Sequence, residues 1–453
     1  MSFTRLLGPV LALAAPACHS DDVVVGGGPI EVTQFSVSPN RALDILFVVD
    51  NSHSMLDKQI ALANAFPRML DVIAGVDGGL PDLHIGVVTS DMGTTSAASG
   101  EPTAGLGQPG NGGCAGRGDD GTLRQIDGMT ARFLSDVAGS DGARVTNYTG
   151  ELRDVFGALA QVGAGGCGFE QHLRAMQRAV ENPLNAGFLR AEANLAVVIL
   201  ADEDDCSART AALFGVASPS LGELTSFRCF AHGVTCDEST TSVGGKTGCR
   251  PDDESEIIAS VAPFVAALRA TKVDPRRVMV GAIIGDPEAV SVDQGTLPGG
   301  GVPTLMLAHA CGTSTEAELA DPGVRLAAFA EAFPGRPQVT SICGGNLDGP
   351  LGQLGTRARA LVGDPCFDPT GLRDTSAAEP GVQPACEVSL DRGPTAPATT
   401  IPACTDASTD CFELVASSPR CATTPGHLEV RLRPAVEPAP DTWISVRCAA
   451  AMK

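Results

Sequence analysis

Apolar positions along the chain fall into two alternating patterns. Short unbroken runs, rich in β-branched residues, occur at 44–49 (DILFVV), 84–91 (HIGVVTSD), 195–201 (LAVVILA), 277–286 (RVMVGAIIGD) and 339–343. Runs of that kind are strands buried on both faces, as in the middle of a parallel sheet. Between them the apolar residues recur every three or four positions, which predicts helices over 55–74, bent near Pro67, and over 151–162, 324–333 and 347–361. A further helix carries Leu173, Met176 and Val180. Another, opened by Asp252 and Asp253, carries Ile257, Val261, Phe264, Val265 and Leu268 on one face. Strand and helix alternate throughout, so the fold class is α/β, a doubly wound and mostly parallel sheet flanked by helices and joined by right-handed crossovers.

Two stretches interrupt this rhythm. Residues 92–128 are rich in Gly, Ser and Pro and too long for an ordinary loop. They include an Arg117-Gly118-Asp119 tripeptide, which such a composition produces by chance. Residues 206–250 carry four cysteines and read as a stapled flap. After residue 363 the character changes to Pro, Thr, Asp and six cysteines with short strand-like pieces at 427–434 and 442–448. This predicts a small disulfide-rich, β-containing extension over 364–453.

Composition narrows the function. The chain of 453 residues has a net charge of −22, with 31 Lys and Arg against 53 Asp and Glu, which argues against nucleic acid as a partner. With one Trp and one Tyr it also lacks stacking platforms for bases or sugars. Residues 1–17 hold Arg5 and a short apolar run before Pro16, Ala17 and Cys18, the form of a secretory signal. The Ala17-Cys18 junction resembles a bacterial lipobox, with Ala15 where leucine is usual. That resemblance implies lipidation of Cys18, a tether over 18–39 and attachment to the outer membrane or cell surface of a Gram-negative bacterium; His19, in place of aspartate, favours the outer membrane.

Setting Cys18 aside leaves fourteen of the fifteen cysteines, an even number suited to an oxidising compartment. They form three even groups: Cys114, Cys167, Cys206, Cys229, Cys236 and Cys249; Cys311 and Cys343; and Cys366, Cys386, Cys404, Cys411, Cys421 and Cys448. Connectivity within the larger groups stays open. No C-x-x-C pair occurs and the seven histidines are scattered, so zinc is disfavoured.

Candidate chemistry starts where the first buried strand ends. Asp50, Ser52 and Ser54 stand at alternate positions, and open α/β sheets place ligands at that end of their strands. One carboxylate and two hydroxyls are hard oxygen donors of the kind that Mg²⁺, Mn²⁺ or Ca²⁺ prefers. The bland reading is a helix cap. This D-x-S-x-S after a buried strand resembles the von Willebrand factor type A, or integrin I-type, domain over residues 40–363. The resemblance implies a metal-ion-dependent adhesion site completed by a later aspartate, matched by Asp202, and by a threonine from an intervening loop. In that loop, residues 163–171 (GAGGCGFEQ), Cys167 falls near the threonine place, and Glu170 is the candidate for a substitute oxygen. His53 stands where the family usually has glycine and is expected to face solvent.

Residues Asp202 to Asp205 are all acidic, either a solvated tip or an aid to cation attraction. None of H-E-x-x-H, G-x-S-x-G or a phosphate-binding glycine loop is present, and Glu170 or Asp204 as a base for metal-assisted hydrolysis is a minor alternative. The expected function is therefore not catalytic. It is divalent-cation-dependent binding of a protein or of a carboxylate-bearing surface ligand, with a cell-envelope scaffold carrying a vestigial site as the alternative.

Overall fold

The computed structural model describes residues 30–296, 303–312, 319–333, 335, 339–376, 378, 382–393, 397–406 and 408–451. The expected signal segment over residues 1–17 and the expected lipidation at Cys18 lie outside the described residues. Strand β1, Ile30–Ser36, comes first, followed by β2, Ala42–Val49, helix α1, Leu56–Ala74, and β3, Asp82–Thr89. Next are β4, Leu134–Ala138, β5, Arg144–Thr146, α2, Leu152–Ala160, α3, His172–Glu181, and β6, Asn194–Leu200. The flap contributes α4, Phe227–Gly233, and three two-residue strands, β7, Val234–Thr235, β8, Gly244–Gly245, and β9, Arg250–Pro251. Then come α5, Ala262–Arg269, β10, Val278–Ile284, β11, Ser291–Gly295, β12, Thr304–Leu307, α6, Val324–Glu331, β13, Val339–Ser341, and α7, Asp348–Leu361.

The central sheet runs β13-β10-β6-β2-β3-β4-β5. Its first five strands are parallel, while β4 and β5 join antiparallel at one edge. That edge pair falls in a stretch whose apolar pattern signalled no strand. Alternation along β2 divides the core: Ile45, Phe47 and Val49 face Leu62 and Phe66 of α1, Phe156 of α2 and Leu354 of α7. Leu46 and Val48 face Leu173 and Met176 of α3, Phe264 of α5 and Phe329 of α6. The Phe66 and Phe156 rings stack at 3.7 Å, and Phe47 leans on both.

Helix α1 runs from Leu56 to Ala74 with Pro67 inside it, as expected. One expectation changes. The helix expected to open at Asp252 begins ten residues later, because residues 257–259 zip in extended form against 207–209: Arg209 N donates to Ile257 O and Ala259 N to Ser207 O, both at 2.8 Å. Ile257 and Ile258 thereby pack into the flap, against Phe214 and Cys206, instead of onto a helix face.

The extension contains β14, Cys366–Phe367, β15, Cys386–Asp391, β16, Thr399–Ile401, β17, Cys411–Val415, β18, Leu428–Arg433, and β19, Trp443–Ala449. One of its sheets runs β1-β19-β15-β16 and the other β14-β18-β17. Residues 30–36, expected in the tether, are therefore an antiparallel partner of the last strand, from Ile30 opposite Ala449 to Ser36 opposite Trp443. Disulfides 366–421, 386–448 and 404–411 staple this region. Its junction with the central sheet centres on Arg276, which chelates Asp274, donates to Asp391 O and lies over the Trp443 ring, while Trp443 Nε1 donates to Asp274.

Candidate functional site

Asp50 and Asp202 follow neighbouring parallel strands, β2 and β6, so the sheet itself brings their side chains to one edge. Asp50 N donates across to Leu200 O at 3.0 Å, which fixes where the first carboxylate leaves the strand. Its Oδ1 accepts from Ser52 N at 2.7 Å, turning the chain so that the Ser52 and Ser54 hydroxyls lie 3.3 Å apart. His53, between them, is exposed as expected.

The loop before α3 closes over this turn. Gln59 of α1 donates to Asp50 O and Gly163 O and accepts from Gly163 N. Gly166 N donates to Asn51 O at 2.8 Å, and a Cβ on Gly166 would sit 2.2 Å from Asn51 Oδ1, so any larger residue would have to displace the Asn51 amide. Cys167 is buried in a disulfide with Cys114, which pins the long 92–128 loop to this one. A sulfur occupies the place that the resemblance gave to threonine, and it offers no hard oxygen. The flap, closed by disulfides 206–229 and 236–249, packs Phe214 edge-on against Phe169 of the same loop. The remaining pair is 311–343, so all seven pairings respect the three even groups.

The site's carboxylates are buried and incompletely bonded. Asp50 Oδ2, Asp202 Oδ1 and Glu170 Oε1 have no hydrogen-bond partner, although Asp50, Asp202 and Glu170 are 0%, 3% and 1% exposed. Burial, then the charge of Asp50, pushes Asp202 up to about 6, against the pull of Lys58. Glu170 is raised well above the usual carboxylate range by burial, then by Glu203, Asp50 and Asp202. Glu203 is raised likewise by burial, then by Asp321, Asp202 and Asp50. Unsatisfied buried oxygens on mutually repelling carboxylates create a demand for positive charge.

Two cationic groups escaped the sequence reading. Lys58 Nζ donates to Asp202 Oδ2 at 2.8 Å and to Ser54 O at 3.1 Å, within a fully desolvated pair. His172, the first residue of α3, brings Nε2 to 3.4 Å from Asp50 Oδ2, an ion-pair approach outside hydrogen-bond alignment. Burial works against its imidazolium, but Asp50, Asp205 and Asp204 outweigh it and raise its pKa. A faint signal for Lys58 was available: it lies one helical turn beyond Ser54.

The acidic run divides by role. Asp204 accepts the backbone N–H groups of Arg325 and Leu326 and so holds the start of α6. Asp205 accepts Leu173 N at the start of α3 and pairs with the buried Arg325 guanidinium at 3.0 Å. Neither forms a solvated tip, and Asp204 is bound up as a cap instead of being poised as a base. In the Arg117-Gly118-Asp119 tripeptide, Asp119 is tied to Thr89 and Arg117 to Glu101.

Among the described residues no group of three or more His, Cys, Asp or Glu side chains is arranged to hold a metal ion. Any ion here would thus depend on the serine hydroxyls as well as on Asp50 and Asp202. The unbonded Asp50 Oδ2 and Asp202 Oδ1 fit such a role, Glu170 Oε1 adds a third buried oxygen, and Cys167 contributes nothing.

No protein-family model and no curated protein matches the sequence. Among solved structures, a von Willebrand factor type A protein from Catenulispora acidiphila is similar over 93% of this chain at 11% identity, with a TM-score of 0.29. The pilus adhesin RrgA from Streptococcus pneumoniae is similar over 92% at 11% identity, with a TM-score of 0.31, and the human COPII-coat protein Sec24c over 96% at 10%, with a TM-score of 0.30. The chain spans 61%, 57% and 44% of those three chains. At such scores the strand order itself, not the likeness, carries the description of the fold.

Proposed function

We propose that this protein is a binding module whose contact with its partner depends on a divalent cation at the end of β2 and β6. The observation that carries this reading is the pair of buried, unbonded oxygens, Asp50 Oδ2 and Asp202 Oδ1, beside the Ser52 and Ser54 hydroxyls. Asp50, Ser52, Ser54 and Asp202 would hold the ion, with Glu170 in reserve. Mg²⁺ is the first choice, then Mn²⁺ or Ca²⁺. A bound ion would supply a Lewis-acidic place for a carboxylate of a protein or surface polymer. The rim suits a partner: His53 is exposed, and Leu56 and Ile60, one turn apart on α1, are 49% and 40% exposed. We assign no turnover to the site.

Attachment to the cell envelope through an acylated Cys18 belongs to the same proposal, and among the described residues no helix is long and apolar enough to cross a membrane. Mass spectrometry of the amino-terminal peptide from envelope fractions tests it, the expected result being a lipid-modified Cys18.

The cation reading is tested by calorimetric titration of the soluble chain with Mg²⁺ and Mn²⁺. Wild type is expected to bind one ion and Asp50→Ala none. No heat in wild type, or the same heat in the variant, would contradict it. The Lys58–Asp202 ion pair favours one competing reading, a scaffold whose site is permanently closed by its own charges. Under that reading, capture of partners from native envelopes is indifferent to chelator.

A further inference from the structure

Lys58 stands where a cation is wanted. Its ammonium reaches two oxygens of the proposed site, Asp202 Oδ2 and Ser54 O, from a position only 3% exposed, and leaves Asp202 Oδ1 without a hydrogen-bond partner. The chain has 31 basic residues, of which four are lysine. At this position the compact point charge of an ammonium fits among the oxygens as a small ion does, whereas a guanidinium is broad and planar.

We propose that Lys58 is a tethered cation that neutralises Asp202 in the metal-free protein and weakens divalent-cation binding at the same site. The inference rests on the cation reading above and adds to it a residue that sets the affinity. Two positive charges within the reach of one carboxylate repel strongly when desolvated, so an incoming ion must either tolerate the ammonium or drive its side chain away. Both routes lower affinity. In exchange, Asp202 is never left buried and uncompensated when the ion is absent, and the loop that Gln59 and Cys167 hold over the site keeps its shape in either state. Partner binding then follows ambient cation concentration over a range set by Lys58.

The test is Mn²⁺ titration of the full chain, read as loss of the free-ion electron paramagnetic resonance signal. Wild type is compared with Lys58→Gln, Lys58→Met and Lys58→Arg, each checked for folding by circular dichroism. Lys58→Gln keeps a donor toward Asp202 without the charge, so it is expected to bind Mn²⁺ at least tenfold more tightly than wild type. Lys58→Met is expected to move the same way, and Lys58→Arg to show no gain. Adding Asp50→Ala to Lys58→Gln must abolish the gain, which separates the site from ions scattered over an acidic surface. Binding by Lys58→Gln alone, with none in wild type, would support the inference in its strongest form. Equal or weaker binding in folded Lys58→Gln and Lys58→Met would overturn the inference and leave the cation reading standing. Absence of Asp50-dependent binding in every variant would overturn both.

Discussion

Strand β2 carries a buried aspartate near each end, and the two are treated in opposite ways. At the start, Asp44 is saturated: Arg190 donates to it from Nε and from its backbone N, both at 2.8 Å, while Lys272 Nζ lies at 3.4 Å and His84 Nδ1 at 3.9 Å. Just past the other end, Asp50 has only the His172 ring, 3.4 Å away and out of hydrogen-bond alignment, at Oδ2, beside Asp202 and Glu170, which each keep one unbonded oxygen too. The same strand, burial and side chain thus give a finished structural network at one end and an unfinished one at the other. A fold under pressure only to be stable would close both, because unpaired buried charge is costly.

The sharpest way to break this contrast is to remove each aspartate. Asp44→Ala strands Arg190 and the buried Lys272 and is expected to destabilise the protein by about 3 to 5 kcal/mol in denaturant unfolding. Asp50→Ala relieves repulsion among Asp202, Glu170 and Glu203 but takes the partner from buried His172 and the acceptor from Ser52 N, and is expected to cost about 1 to 2 kcal/mol, less than Asp44→Ala. Equal losses would erase the distinction.

Next in size is the clamp over the unfinished end. Replacing Cys114 and Cys167 together by serine opens a link across 53 residues and is expected to cost about 2 to 4 kcal/mol. Hydrogen exchange should rise in residues 161–171 and 92–128 and stay unchanged around Asp44. Faster exchange at both ends would show that the two are not independent.

A pH series sharpens the comparison through its sign. Asp202 has its folded pKa raised to about 6 by burial and Asp50, above the ordinary aspartate value. Its contribution to stability is therefore full at low pH and is lost as pH rises through about 6. Asp274, at the junction with the carboxy-terminal sheet, behaves oppositely: burial raises it, but hydrogen bonds from Arg276 and Trp443 prevail and hold it below its ordinary value. Its contribution is present above the ordinary value and is lost as pH falls through the lowered one. Urea midpoints of metal-free protein should show Asp202→Asn flattening the neutral limb and Asp274→Asn the acid limb. Fluorescence of Trp443, the chain's one tryptophan, follows the latter.

The buried strands could be read from the chain because unbroken β-branched runs leave few alternatives, and Asp50 and Asp202 followed from them as residues just past strand ends. What escaped was assembled from a distance. Ile30 meets Ala449 and Cys114 meets Cys167 across long stretches of chain, and no local pattern encodes either contact. His172 and Glu203 gain their meaning from Asp50 and Glu170 on other elements. Ile257 misled because an apolar residue at helical spacing serves equally well in an extended segment zipped to residues 207–209. Lys58 was within reach of inspection, but nothing in a helical lysine tells whether it points to solvent or to Asp202.

The smallest expected effect concerns the rim. Leu56→Ser and Ile60→Ser should change stability by less than about 0.5 kcal/mol and leave Mn²⁺ affinity unaltered, while weakening capture of envelope partners. Unchanged capture would move the partner surface elsewhere.

Whether the unfinished end of β2 takes a cation is decided by anomalous diffraction from crystals of the chain grown with saturating Mn²⁺. One strong peak is expected among Asp50, Ser52, Ser54 and Asp202, absent in Asp50→Ala. Anomalous density confined to surface carboxylates, with Lys58 still seated on Asp202, would contradict it.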